Sequence, residues 1–120
     1  MIDRVRLIGN WSLLKHGRFD TLGNYHPTGE RMNGQLIYAA DGSMSVLITK
    51  VPEPIQMNDI IAYSGSFSIE GEKVLHHIMV SPYPKRLSTT EIRLVSFRGD
   101  DLVLTAESHQ GGRFEIVWRK

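Results

Sequence analysis

Two adjacent histidines, His76 and His77, lie inside the apolar run of residues 74–81, VLHHIMVS. An imidazole titrates near neutral pH, so in a dry pocket either one could act as a general acid or base. Neighbours on an extended strand point to opposite faces, so both cannot line the same cavity. His76 shares its face with Val74, Ile78 and Val80, and His77 shares its face with Leu75, Met79 and Ser81. Both faces are apolar, and alternation alone leaves open which one is interior. The alternative for either residue is a core histidine bonded to a neighbouring carbonyl or hydroxyl.

Arg93 shares a strand face with Val95 and Phe97. If that face is interior, its guanidinium needs an acceptor, because an unpaired buried charge is very costly. A ligand carboxylate or enolate would fit its planar fork. Glu91, on the same face, could be an internal partner, and an outward arginine paired across the sheet is the other reading. Tyr38 and Tyr63 sit among alternating strand residues. Each could place a phenol at a cavity wall, as a donor to a carbonyl oxygen, or simply fill core volume. Met44, Met57, Met79 and Phe67 would make a soft apolar lining or plain core packing.

Metal chemistry finds no array. Of the five histidines, at 16, 26, 76, 77 and 109, only 76 and 77 are adjacent, and strand geometry makes their side chains diverge. With no cysteine there is no thiolate ligand, nucleophile or disulfide framework. No serine sits in a readable nucleophile motif, and no glycine-rich phosphate loop follows a strand. No cofactor is therefore expected.

Strands must position these side chains. Asp3 can cap a short helical turn over residues 4–8. An apolar run then opens the first strand, expected over residues 9–19 and carrying Trp11. A polar connection follows over residues 20–33, with Gly23, Pro27 and Gly29 as breakers. Its aromatic members, Tyr25 and His26, suit a segment folded across a barrel mouth. Residues 35–39 and 44–49 flank Asp41-Gly42, a tight hairpin turn in which glycine supplies positive φ. Pro52 and Pro54 break the pattern, and Pro54 could start a short helix that lids one end. Strands resume over residues 63–69, 74–81, 90–97, 102–106 and 114–119, punctuated by Glu70-Gly71, Pro82-Tyr83-Pro84, Gly99-Asp100 and Gly111-Gly112. The expectation is all-β: an eight-stranded up-and-down antiparallel barrel with one short helix, whose interior holds side chains or one small ligand.

The chain of 120 residues fits one domain, 1–120. A net charge of +1 with scattered basic residues lacks the clustered footprint of a nucleic-acid binder. No apolar run approaches the ~20 residues that span a bilayer. A cytoplasmic protein is the expectation, with neither nucleic acid nor membrane as partner. Exposed strand edges in an imperfectly closed barrel could pair across a homodimer axis.

Gly9-Asn10-Trp11 on the first strand with Arg119 on the last resembles the lipocalin pattern. So do Pro27-Thr28-Gly29-Glu30, Gly34-Gln35-Leu36-Ile37-Tyr38, Ala62-Tyr63-Ser64-Gly65-Ser66-Phe67, Val74-Leu75-His76-His77, Arg93, Gly99-Asp100-Asp101-Leu102 and Val117-Trp118-Arg119. In order and over nearly the whole chain, they are similar to the small lipocalin-like domain proteins. The segment between Lys50 and Ala62 is shorter than the helical insert of many relatives. The resemblance implies a calycin-type barrel with a central cavity, and it favours His76 as the inward histidine. It also implies that Arg119 packs over the Trp11 indole, so that Gly9, Trp11 and Arg119 close the barrel base.

Three functions follow as expectations. The first is binding of a small apolar or aromatic molecule, with Tyr38, Met44, Tyr63, Phe67, His76 and Arg93 as the candidate lining. The alternative is a cyclase, isomerase or dehydratase acting on a small ketone or polyketide-like substrate. In that reading His76 is acid/base, Arg93 holds the developing oxyanion, and a tyrosine assists. A collapsed barrel serving a protein partner is a third.

Overall fold

The structure is a computed structural model that describes residues 2–27, 32–50, 60–107 and 111–120. It begins with a single helical turn, α1 (Arg4–Leu7), capped by the Asp3 carboxylate, which accepts from the Val5 amide at 3.0 Å. Strands follow in chain order: β1 (Gly9–Phe19), β2 (Tyr25–Pro27), β3 (Met32–Tyr38), β4 (Ser43–Lys50), β5 (Ile60–Glu70), β6 (Lys73–Val80), β7 (Thr90–Arg98), β8 (Asp101–Glu107) and β9 (Arg113–Arg119). All pair antiparallel in the order β2-β1-β3-β4-β5-β6-β7-β8-β9, and β1 also pairs with β9. Eight strands therefore close a barrel, and β2 is an extra strand on the edge of β1. No helix among the described residues is long and apolar enough to cross a membrane.

Residues 20–27 of the β1–β3 connection differ from the expected mouth-crossing segment. Asp20 organises them: Oδ1 accepts from the Leu22 and Asn24 amides, both at 2.9 Å, and Oδ2 lies 2.8 Å from His26 Nε2. That turn sends Tyr25–Pro27 back along Gly17–Phe19 as a short hairpin. Tyr25 then lies on the outer wall, against Phe19 and over Gly17, where any side chain would meet its ring. The expected lid helix after Pro54, and Met57 with it, lie outside the described residues.

Strand alternation sets the core. Trp11, Leu36, Tyr38, Met44, Val46, Ile48, Tyr63, Phe67, Val74, Ile78, Val95, Leu102, Leu104 and Trp118 are buried together inside the barrel. On β6 the inward face is Val74, His76 and Ile78. Met79, expected as lining, is instead 69% exposed because it shares the outward face of His77, and Val80, expected on the inward face, is 63% exposed because the β5–β6 register shifts there and pairs it with Ser64.

One end of the barrel is plugged. Leu7 is fully buried there, and its carbonyl accepts the Trp11 indole N–H at 2.8 Å. Gly9 at φ +144° admits the Lys120 side chain, which a Cβ would strike. The cation over the Trp11 ring is Lys120, with Nζ 4.8 Å from the centroid, and not Arg119. The parity of β9 explains the correction. Trp118 faces inward, so Arg119 faces outward, where its Nε and Nη2 both donate to the Asp101 carboxylate at 2.9 Å.

Candidate functional site

Toward the opposite end, β1, β5, β7, β8 and β9 supply the described walls. A cavity of about 330 Å³ lies there, lined by His16, Ile61, Leu104, Ala106, Phe114 and Ile116, with Arg86, Glu91, Arg93 and Glu107 supplying charge. A smaller void of about 50 Å³ shares Ile61, Arg86, Arg93, Leu104 and Ile116 with it. Deeper in, that void meets Tyr63, His76 and Trp118. The two chambers together have an apolar wall, a charged mouth and a polar floor.

Strand parity delivers the floor. His76 points inward from β6 and is 2% exposed. Tyr63 reaches it from β5, with its hydroxyl 2.8 Å from Nδ1. Tyr38 reaches it from β3, with its hydroxyl 2.5 Å from Nε2. Both ring nitrogens are thus occupied. Burial, helped by the positive charge of Arg93 and by His77, pushes the His76 pKa down to about 3, so the ring is neutral at physiological pH. Burial pushes Tyr63 up to about 12 and Tyr38 well above its usual value, so both phenols keep their protons.

The mouth is set by a turn. After β6 the chain makes a single 3-10 turn, Pro84–Arg86, and Ser88 adopts a left-handed backbone at φ +61° before β7 begins. The turn is tied to β5: the Ser81 hydroxyl donates to the Ala62 carbonyl at 2.9 Å and the Tyr83 hydroxyl to the Ile60 carbonyl at 2.5 Å. Arg86 swings inward, 5.5 Å above the Tyr63 ring, and its Nη1 donates to Glu91 Oε1 at 3.2 Å. Arg93 donates from Nη1 to Glu91 Oε2 at 3.4 Å and to the Ile92 carbonyl at 3.0 Å. Two guanidinium groups share the Glu91 carboxylate, and Glu107 adds a second negative charge to the cavity rim.

Of the expected site residues, His76, Arg93 and Tyr63 border one void. Tyr38 lies behind His76, away from that void. Met44 and Phe67 are interior but line neither chamber. Phe67 packs against Tyr38 at 4.8 Å between ring centroids, with Arg4 above it. His77 faces outward, between the hydroxyls of Ser68 and Thr90. Sequence reasoning missed Arg86, which sits in a turn with no strand parity to place it. It also missed His16, whose buried Nδ1 has no partner among the described residues, and Trp118, whose buried indole N–H has none either.

A family model described as a lipocalin-like domain matches residues 53–120, more than half of the chain. The matched part includes Tyr63, His76, Arg86, Glu91 and Arg93, whereas His16 and Tyr38 precede it. No curated protein matches the chain.

Proposed function

We propose that this chain, which belongs to the lipocalin-like domain family, binds one small, mainly apolar molecule inside its barrel. The fold and the family are consistent with a hydrophobic ligand. The observation that carries the reading is the cavity of about 330 Å³ toward the end opposite the plug. It is at the lower end of the range for ligand pockets. Ile61, Leu104, Phe114 and Ile116 offer apolar contact, and Arg86 and Arg93 favour a molecule whose polar end is electron-rich.

The alternative, acid/base catalysis of a cyclase, isomerase or dehydratase type, has less support. His76 and Arg93 do border one void, as that reading requires. Yet the imidazole has both nitrogens engaged and is held neutral by burial. It has no proton to give at neutral pH without breaking a hydrogen bond.

Native mass spectrometry of freshly purified protein tests the binding reading, with 1-anilinonaphthalene-8-sulfonate as a defined probe. A co-purifying small molecule, or one equivalent of probe bound, is the expected result. Ala106→Trp fills the outer chamber from its wall and should abolish probe binding. Probe binding unchanged in that variant would place the dye elsewhere and overturn the reading.

A further inference from the structure

The hydroxyl of Tyr38 is fully buried, and among the described residues its one partner is His76 Nε2. A neutral imidazole carries one N–H, on Nδ1 or on Nε2. If Nε2 carried it, Tyr38 would accept that hydrogen and its own O–H would be left buried without an acceptor. If Nδ1 carries it, Tyr38 donates to Nε2 and Nδ1–H donates to the Tyr63 oxygen. The proton without an acceptor then belongs to Tyr63, which borders the inner void. A buried donor left unmatched suffers its full desolvation cost, whereas one facing a cavity can be met by whatever enters.

Trp118 adds a second, independent observation. It borders the same void, it is 1% exposed, and its indole N–H has no acceptor among the described residues. The void is therefore bordered by two residues that each carry an unmatched donor, Tyr63 and Trp118, and by two cations, Arg86 and Arg93. His76 offers it no free lone pair, because both nitrogens are taken.

We infer that the inner void is an oxygen-acceptor subsite: Tyr63, oriented by the Tyr38–His76 relay, and Trp118 together receive a carbonyl or carboxylate oxygen of the ligand. This rests on the cavity reading above and assigns the ligand's chemical class. The apolar body occupies the outer chamber and the oxygen leads inward. Molecules whose polar end only donates, such as alkylammonium ions, are excluded by the two donors and repelled by the two guanidinium groups.

Two measurements test it. In the ligand-free protein, nitrogen-15 NMR of the histidine rings should show His76 protonated at Nδ1 and bare at Nε2. The reverse tautomer overturns the inference. Calorimetric titration then compares 2-acetylnaphthalene with 2-isopropenylnaphthalene, which has the same shape without the oxygen. The ketone should bind more tightly and shift the Trp118 indole N–H resonance downfield, and the hydrocarbon should not shift it. Tyr63→Phe should weaken the ketone about 3- to 10-fold, the span of one hydrogen bond, and leave the hydrocarbon unchanged. Equal wild-type affinities, or a ketone indifferent to Tyr63→Phe, would mean that the void holds only water and overturn the subsite alone. If anilinonaphthalene sulfonate binds and neither naphthalene does, the subsite alone fails; if none of the three binds, the cavity reading fails and the subsite with it.

Discussion

Lowering the pH from about 7.5 to about 4.5 should cost the wild-type protein more stability than it costs a His76→Gln variant. The imidazole protonates near 6.5 in the unfolded chain and at about 3 in the folded one. The unfolded state therefore takes up the proton first. The stability contributed by neutral His76 is complete above pH ~6.5 and is lost as the pH falls toward about 3. Each pH unit inside that window is worth ~1.4 kcal/mol, so the loss at about pH 4.5 is roughly 2.5–3 kcal/mol. For a chain of this size that lowers Tm by about 10 °C. Urea unfolding followed by tryptophan fluorescence at both pH values reads it directly. His16, lowered by burial, adds a loss of the same sign, and Asp20, Asp41 and Asp101, whose carboxyls hydrogen bonding holds below the usual range, add theirs at lower pH. All of these remain in the variant, so the difference between the two proteins isolates His76. Equal losses in wild type and variant would refute a buried neutral imidazole wedged between two phenols.

Trp11→Ala should destabilise the fold by about 3–5 kcal/mol in urea titrations, because it empties the plugged end of a fully buried indole and orphans the Leu7 carbonyl. An unchanged midpoint would show that the plug adds nothing. Glu91→Gln removes the carboxylate that Arg86 and Arg93 share, so anilinonaphthalene sulfonate should bind roughly 2- to 5-fold more tightly at low salt, with the gain shrinking as salt rises. Gly65→Ala should prevent folding or lower the melting point severely, since its Cβ would run into the carbonyl oxygen of His77 at the β5–β6 irregularity. A soluble, cooperatively melting Gly65→Ala protein would show that the register there can shift.

Alternation between glycine-rich turns made most of the barrel legible. Residues 63–69 read as a strand because apolar residues alternate with serines, and residues 35–39, 44–49 and 102–106 because apolar runs lie between clear breakers. β2 was not legible: Tyr-His-Pro has no alternation, and its pairing comes from the side chain of Asp20, which is turn chemistry acting over six residues. The convergence of His76, Tyr63 and Arg93 was partly legible, since parity limits each to two faces and the family resemblance favoured one for His76. Arg86 had no such signal, because its place depends on the backbone at Ser88 and on the charge of Glu91. Parity could have corrected Arg119: an inward Trp118 leaves its successor outside. Trp118 as a donor depends on the absence of an acceptor, which a linear sequence cannot display.

The pairing of β1 with β9 has a consequence for how the barrel assembles. The ladders from β3 to β9 join strands consecutive along the chain, so each closes over a short stretch of sequence, nine residues at most between strand ends. Ser12 meets Arg119 only when a loop of roughly a hundred residues closes, at an entropic cost about 3 kcal/mol above that of a hairpin. An open meander that curls and seals last is the economical order of events. The wall of the outer cavity depends on that final step, because Phe114 and Ile116 come from β9 and His16 from β1. A molecule seated there holds both sides of the seam at once. Its binding energy then acts mainly on the rate at which the barrel reopens, so occupancy should lengthen the lifetime of the sealed state more than it speeds its formation.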